Sequence, residues 1–491
     1  MKKLLVIVFL SALISASLLS RGHVWWDDFA SYIMQAQSLL HGNTAEFTQR
    51  NAFTIQESSY PIGPIAYPWG FPALLAPVLY FFGLKVLALK LVNTLTYALF
   101  LIIFHRLVRL SLTENWSLLL TALLAFNPTL LFAHDYILSD ISFLLFSTLA
   151  MFLIDAYLIN PLRDNDEHKE KITGSSNLRV LRGESILLGI SIFAAFSIRA
   201  NGILLFAPLA IAQFMRFGFQ GIRKNWLTVL LPYFVFTVLA AALIILLPRG
   251  QESYFTHFSM FTFDRFVGNL IYYLKLPATL FDYIPLGIAF YVFSVSLSFI
   301  GIGVTWRKNP HFLAYIFLTL LLFMLWPETQ GLRFIFPILP LFILIAAQGA
   351  IWLGGKIAQP VFVKAAFGVW LVITLLSLGI STWNGWTNLQ SGREINGPFD
   401  PNSAQMFEFI REKTPRDSIV IFFKPRAMRL LTDRDSFMTE NCADLTKGDY
   451  LVIHEKQGSN GQLTQQSAEA CGVPLESVFN NKRFTVYQIS P

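Results

Sequence analysis

The sequence predicts a polytopic α-helical membrane protein with a small α/β domain at its C-terminus. Of its 491 residues, 54% are hydrophobic and 14% are charged, whereas a soluble globular chain has about 25% charged residues. Apolar runs long enough to cross a bilayer, roughly 20 residues, recur from Leu4 to Ile380 and stop after Ser381. The chain therefore divides into a membrane part, residues 1–381, and a polar tail, residues 382–491.

Eleven apolar runs are predicted to span the membrane: residues 4–20, 86–104, 116–133, 141–159, 186–199, 202–215, 226–247, 285–305, 311–326, 335–353 and 365–381. The first resembles a signal peptide, but an uncleaved span is preferred, and both interpretations export the loop after Arg21. A further apolar segment, 71–83, is short and adjoins the sequence YPWGFP. We expect it to dip into or lie along the outer face, where irregular backbone is tolerated if protein covers it.

The distribution of basic residues predicts the orientation. The membrane part holds 25 Lys and Arg against 17 Asp and Glu, and the tail holds 12 against 13. Loops assigned to the inside carry 16 basic residues, and those assigned to the outside carry eight in nearly twice the length. This positive-inside bias explains the net charge of +7 without a nucleic-acid partner. It predicts that the first loop, residues 21–85, and the tail are extracytoplasmic. The membrane that we expect for this multi-pass protein is the plasma (inner) membrane.

The tail alternates helical and strand patterns, which indicates a small α/β domain. A helix is predicted over residues 404–412 after a group of turn residues, and strands over 418–423, 450–454 and 484–489. The two cysteines, Cys442 and Cys471, are too few for a disulfide scaffold or a zinc site. Whether they pair in an oxidising compartment or stay free is open at the level of sequence.

The first outer loop contains the strongest candidate for chemistry, the adjacent acids Asp27 and Asp28. Two neighbouring carboxylates disfavour each other's ionisation unless cations or donors compensate, so such a pair can supply a base together with a metal ligand or a hydrogen-bonding acid. Ile33, Gln37 and Leu40 come next at helical spacing. The acids could therefore simply cap a helix, and residue chemistry alone favours that simpler interpretation.

Three more candidate points lie on the same predicted face. His134, Asp135 and Asp140 flank the start of the fourth span, where capping is the alternative role. SIRANG interrupts an apolar stretch with Arg199 and Asn201, and an ionisable residue at that depth suggests function unless it snorkels to the surface. PETQGLRFIFPILP carries Glu328 and Arg333, and the planar guanidinium suits a phosphate.

Several segments, in order along most of the chain, resemble the C-type (GT-C) membrane glycosyltransferases, close to the protein O-mannosyltransferase and bacterial aminoarabinose transferase families. They are WWDDFASYIMQAQSLLHG, YPWGFPALLAPVLYFFG, HDYILSDISFLLFSTLAMFLI, SIRANGILLFAPLAI and LRFIFPILPLFILIAAQG. The tail segment EFIREKTPRDSIVIFFKPRAMRLLTDR resembles the soluble tail of prokaryotic members. One departure is YPW, where the family usually has Tyr-Pro-Pro.

The resemblance implies roles for individual residues. Asp27 would be the catalytic base or orient the acceptor, Asp28 matches a second acid that is more often Glu, and Asp140 matches the acidic site after span three. Arg333 would lie near the donor phosphate, with Arg199 as a second candidate. Some members bind a divalent metal through loop acids and a His, for which the candidates here are His134 and His257, without a clear ligand pattern.

The function expected from the resemblance is transfer of a sugar from a polyprenyl-phosphate donor to a lipid, glycan or protein acceptor, by a single inverting displacement. The chain has no GxxxxGK[ST] or GxGxxG motif, which agrees with a donor that already carries the energy of transfer. The alternative is a transporter or lipid flippase, with SIRANG as a broken helix near the midplane. A membrane-anchored receptor is a third possibility, but it leaves the loop acids unexplained.

Overall fold

The structure is a computed structural model that describes residues 1–59, 62–164, 175–248, 261–282, 284–327, 329–356, 360–390, 395–455 and 461–490. Most of the membrane part is helical. Its helices are α1 (Lys2–Ser17), α2 (Asp28–His41), α3 (Thr44–Glu57), α4 (Gly70–Phe82), α5 (Val86–Arg109), α6 (Glu114–Ala125), α7 (Pro128–Phe132), α8 (Asp140–Ile154), α9 (Asn160–Asp164), α10 (Ser175–Ile198), α11 (Phe206–Lys224), α12 (Trp226–Leu246), α13 (Phe263–Lys275), α14 (Gly287–Thr305), α15 (Pro310–Leu325), α16 (Leu339–Lys356) and α17 (Pro360–Gln390).

Helix occupies each of the eleven segments predicted to span the membrane. Six helical stretches among the described residues are long and apolar enough to cross a bilayer, and a seventh is the pair α6 and α7, which bends by 51°. The bend falls where Asn127 caps α7 and Pro128 occupies its first turn. The last helix continues to Gln390, beyond the predicted end at residue 381. That all eleven segments cross the membrane stays a prediction.

Close helix packing is possible where glycine faces a neighbouring backbone. A Cβ atom on Gly349 of α16 would lie 2.1 Å from the Leu297 carbonyl oxygen of α14, and one on Gly301 would lie 2.0 Å from the Ile345 oxygen. Small residues that let backbones approach are typical of helix interfaces in lipid, where dispersion contacts replace the hydrophobic effect. Glycine at these two positions therefore allows the backbones of α14 and α16 to approach closely.

The tail is an α/β domain, as predicted. Its helices are α18 (Pro401–Lys413), α19 (Pro425–Thr432) and α20 (Gln465–Ala470), and its strands are β1 (Ile419–Ile421), β2 (Asp435–Phe437), β3 (Tyr450–His454), β4 (Leu475–Asn480) and β5 (Phe484–Ile489). The sheet has the order β2-β1-β3-β5-β4, with β1 parallel to β2 and β3, and β5 antiparallel to both neighbours. Cys442 and Cys471 form a disulfide with their Cα atoms 5.3 Å apart.

The tail packs directly on the first outer loop. Trp25 is buried among the rings of Phe407, Phe422, Phe423, His454 and Phe484 of the tail. Its indole N–H donates to Asn396 Oδ1 at 3.0 Å. A salt bridge of 2.6 Å between Arg50 of α3 and Asp433 adds a second attachment. The tail and the loop therefore share one hydrophobic core and form one face of the molecule.

Candidate functional site

The start of α2 places the two predicted acids at the junction between loop and tail. Asp27 occupies the N-cap position and Asp28 is the first helical residue. The Asp27 side chain makes no capping hydrogen bond, and its backbone is already in the right-handed helical region, unlike the extended backbone of a typical N-cap. The helix-cap interpretation therefore does not account for Asp27 in this structure.

Asp27 is a buried carboxylate beside a buried cation. Its side chain is 7% exposed, and within the described part of the chain no hydrogen bond satisfies either oxygen. Arg426 Nε lies 3.8 Å from Asp27 Oδ2. Burial raises the pKa of Asp27 above its ordinary value, while the positive charges of Arg426 and Lys424 oppose that rise. Desolvation is the largest of these effects, so Asp27 binds a proton more readily than an ordinary aspartate does.

Arg426 reaches the site from α19 of the tail and ties the first loop to it. Its fully buried guanidinium donates to the carbonyl oxygens of Ile62, at 2.8 Å, and Pro64, at 2.7 Å. The loop turns at Gly63, whose φ is +105°, and a Cβ there would lie 2.9 Å from the Tyr67 hydroxyl. Glycine is needed at this position both for the backbone conformation and for the space.

Asp28 is the more accessible acid of the pair, with its side chain 26% exposed. The Tyr67 hydroxyl donates to Asp28 Oδ1 at 2.7 Å, and Arg333 Nη1 lies 3.5 Å from Oδ2. Burial and the Asp28 charge raise the pKa of Tyr67 well above its ordinary value. The hydroxyl therefore stays protonated and remains a donor to the carboxylate.

Two arginines from separate membrane helices complete the cluster. Arg199 lies in extended backbone at the break between α10 and a 3₁₀ turn, and it forms an ion pair with Asp140 at the head of α8. Arg333 lies in the 3₁₀ turn that precedes α16. Both guanidinium groups contact the Phe334 ring, with centroid distances of 5.2 and 5.8 Å, and Arg333 also lies 5.8 Å from the Trp26 ring. Aromatic faces favour cations that have lost part of their hydration.

The structure brings together five of the predicted site residues: Asp27, Asp28, Asp140, Arg199 and Arg333. His134 does not join them, because it is fully buried between α1 and α5, where it hydrogen-bonds to Ser15 and packs against Tyr97. Asp135 instead forms a 2.6 Å salt bridge with the buried Lys90. His257 and Glu328 lie outside the described residues.

The residues of the cluster do not fit a divalent metal. Among the described residues, no group of three or more His, Cys, Asp or Glu side chains could hold one. Asp27, Asp28 and Asp140 each lie beside an arginine, so the charge that a metal would need is already neutralised.

Sequence reasoning missed two groups of the site, Arg426 and Tyr67. Arg426 lies in a polar tail, where an arginine is ordinary and only its complete burial distinguishes it. Tyr67 belongs to the YPW turn, and its hydroxyl contacts Asp28 although the rest of the turn departs from the family pattern. A buried arginine cannot be recognised from sequence, because its burial depends on contacts with residues far away in the chain.

No family model and no curated protein matches the chain. Solved structures do match. ArnT from Cupriavidus metallidurans bound to undecaprenyl phosphate is 13% identical, with a TM-score of 0.59 over 98% of this chain and 97% of that one. The Archaeoglobus fulgidus oligosaccharyltransferase in complex with Zn and sulfate is 12% identical, with a TM-score of 0.61 over 99% and 73%.

A third structure, the archaeal oligosaccharyltransferase AglB from Archaeoglobus fulgidus with an inhibitory peptide and a dolichol-phosphate, has a TM-score of 0.53 at 10% identity. It covers 92% of this chain and 69% of that one. ArnT and AglB are both GT-C glycosyltransferases. At such low identity the likeness concerns the fold, and it extends over nearly the whole chain. The chain therefore has the fold of the GT-C membrane glycosyltransferases, as the resemblance of its sequence implied.

Proposed function

We propose that the protein transfers a sugar from a polyprenyl-phosphate donor to a lipid, glycan or protein acceptor on the non-cytoplasmic face of the membrane. The observation that carries this proposal is the pair Asp27 and Asp28, held at the junction of loop and tail beside two arginines, Arg426 and Arg333. The fold agrees with it, since the ArnT structure that matches over nearly the whole chain is bound to undecaprenyl phosphate.

Arg333 and Arg199 are the proposed partners of the donor phosphate. Each lies on an aromatic ring and beside one acid, so each is oriented without being fully buried. As the bond from sugar to phosphate breaks, negative charge grows on the phosphate oxygens. Donors that are already oriented stabilise that charge without further reorganisation, and the guanidinium fork suits a phosphate better than an ammonium does.

Asp27 is the proposed base. Its raised pKa gives the carboxylate a higher proton affinity than an ordinary aspartate has, which favours proton transfer from the acceptor in the transition state. In a single displacement, the acceptor hydroxyl attacks the anomeric carbon, its proton passes to Asp27, and the polyprenyl phosphate leaves with the bonding pair. Because Asp27 and Arg426 are both buried, the acceptor would approach Asp27 past the more exposed pair Asp28 and Arg333.

The test is a transfer assay with purified protein and a radiolabelled polyprenyl-phosphate sugar, scored as label that moves to a water-soluble or lipid acceptor. Turnover without a nucleotide supports the proposal. The break at Arg199 favours the rival function, a transporter or flippase. Flux of the intact donor across sealed vesicles, with no cleavage of its sugar-phosphate bond, would establish the rival and exclude the transferase.

A further inference from the structure

A cavity of about 410 Å³, lined by both apolar and polar side chains, lies at the end of the helix bundle opposite the Asp27 cluster. Asp140, at the head of α8, belongs to the cluster, and Arg163, near the end of α9, lines the cavity. At 1.5 Å per residue the helical path between them is roughly 35 Å, enough to cross the hydrocarbon core of about 30 Å. The cavity is thus separate from the proposed transfer site.

The cavity wall is held in place by a buried network of charged and polar groups. Arg163 donates two hydrogen bonds to the fully buried Asp155, at 2.9 and 3.0 Å, and a third to Asn309 Oδ1 at 2.8 Å. The Asn309 amide in turn donates to Gln348 Oε1 at 3.1 Å. Arg163, Asn309 and Gln348 all line the cavity, so three helical segments present oriented polar groups to it.

The lining is positively charged. Asp155 neutralises Arg163, whereas Lys308, which also lines the cavity, makes no ion pair among the described residues. Ser111 and Thr305 lie in the wall. The Thr305 hydroxyl donates to the Gly301 carbonyl oxygen at 2.6 Å, whereas Ser111 Oγ has no hydrogen-bond partner in the part of the chain that the structure describes. An ammonium without an acidic partner, beside the available Ser111 hydroxyl, provides what a phosphate oxygen needs.

Two tryptophans place the mouth of this cavity at the membrane surface. Trp352 lines the cavity and Trp306 precedes the cavity residue Lys308 by two positions, and they are 43% and 53% exposed. Exposed tryptophans at the ends of membrane helices occupy the headgroup level. Arg307 and Lys356 lie against these two rings, which adds basic charge at the same level.

We propose that this cavity binds the phosphate headgroup of an anionic phospholipid. The ligand is a membrane lipid rather than a free anion because the charged wall opens beside interfacial tryptophans, where lipid phosphates lie. Basic pockets between membrane helices recognise such headgroups by charge and by oriented donors. The proposal does not depend on the transfer reaction.

The test compares Lys308→Gln with a matched control, Arg223→Gln, which removes a positive charge from the end of α11 on the same predicted membrane face. Native mass spectrometry of the purified full chain measures retention of phosphatidylglycerol and phosphatidylcholine. The wild-type protein should retain phosphatidylglycerol preferentially. Lys308→Gln should weaken this retention about fivefold, as loss of one interfacial basic residue does, and Arg223→Gln should leave it unchanged.

Three outcomes would overturn the proposal. Equal loss in both variants would mean that only overall charge attracts the lipid. Equal retention of both phospholipids would remove the requirement for negative charge. Displacement of phosphatidylglycerol by millimolar inorganic phosphate would assign the cavity to a soluble anion instead. Lys308 is exposed, so its replacement by Gln should leave the fold intact, and an unchanged melting temperature checks this.

Discussion

At the scale of single residues, the site is a set of acids that are each matched with an arginine. Asp140 pairs with Arg199, Asp28 with Arg333 and Asp27 with Arg426. The three pairs differ in burial, since Asp27 and Arg426 are buried and Asp28 and Arg333 are partly exposed. Asp28 and Arg333 are accessible enough to exchange each other for a substrate. Asp27 and Arg426 are shielded from water, so the pKa of Asp27 stays raised by burial.

Replacing Asp27 by Asn should lower the transfer rate about 10²–10⁴-fold, because the shape is kept and the proton acceptor is lost. Protein level and membrane insertion should stay the same. A helix cap would predict a nearly silent change, since Asn caps as well as Asp. Asp264→Asn, which removes an acid from the first turn of α13, is the matched control. A rate within twofold of wild type in Asp27→Asn would remove Asp27 from catalysis.

Asp28→Asn should lower the transfer rate less than Asp27→Asn does if Asp28 only positions Arg333. The same transfer assay measures both variants. If Asp28→Asn loses the larger share of the rate, the base is the more exposed acid, and the assignment to Asp27 is wrong.

Replacing Arg426 by Gln should move the acidic limb of the pH–rate profile to higher pH. Burial raises the pKa of Asp27 and Arg426 opposes that rise. Without the guanidinium the pKa of Asp27 rises further, so the base is deprotonated only at higher pH. The profile of kcat/KM measures this shift, with Arg411→Gln, an exposed arginine at the end of α18, as the control. If kcat/KM of Arg426→Gln fell by the same factor at every pH, the proposed effect of Arg426 on the pKa of Asp27 would be wrong.

Replacing Arg333 by Ala should weaken donor binding by about 2–5 kcal/mol, the cost of removing one partner from a charge-assisted contact. Arg333→Lys should restore only part of it, because an ammonium lacks the fork. Equilibrium binding of a fluorescent polyprenyl phosphate gives the affinities. Arg307→Ala, at the opposite end of the bundle, should bind normally. Unchanged affinity in Arg333→Ala would exclude Arg333 from the donor site.

At the scale of secondary-structure elements, the sequence predicted correctly those helices whose apolar pattern extends over several turns. The spacing of Ile33, Gln37 and Leu40 predicted α2, and the polar interruption at Arg199 coincides with a real break between helices. Sequence reasoning failed for β2, which has three residues, and for β4, which is largely exposed and has a register shift. Such short or irregular strands are specified by their neighbours in the sheet rather than by alternation of their own residues.

The disulfide should stabilise the tail by about 3–4 kcal/mol, because it closes a loop with a sequence separation of 29 residues and so restricts the unfolded chain. The variant with both cysteines replaced by Ser should show this loss in urea unfolding of the purified protein, monitored by proteolysis of the tail. Reductant should destabilise the wild type equally and leave the double variant unaffected. A wild-type tail that is insensitive to reductant would contradict the prediction.

At the scale of the whole molecule, hydropathy predicted a helical membrane part and a polar α/β tail. This succeeded because a segment in lipid needs a long run of apolar residues, whereas a segment in water does not. Which side chains contact one another in the site could not be predicted from the sequence. Asp27 and Arg426 come from opposite ends of the chain, and their contact depends on how the tail packs around Trp25. The convergence of Asp28, Asp140, Arg199 and Arg333 was expected only as a shared face.

The predicted orientation can be tested with single cysteines at Ala45 and Glu412, both exposed, because the native cysteines are consumed in the disulfide. A membrane-impermeant maleimide applied to intact spheroplasts should label both positions. Cysteine at Arg223 should react only after permeabilisation. If Ala45→Cys were labelled and Glu412→Cys were not, the prediction that the first loop and the tail lie on the same side of the membrane would be wrong.

The contact of Arg426 with Asp27 determines whether the number of membrane crossings between these two residues is even or odd. Residues that touch lie on one side of the bilayer, so the chain between them must cross it an even number of times. The ten predicted spans from α5 to α17 satisfy this condition, and counting α4 as one more crossing would violate it. A molecule in which one helix failed to insert would carry the two residues on opposite sides and could never assemble the site. Insertion of every predicted span is therefore a precondition for assembling the site, and a chain that is one crossing short would lack it.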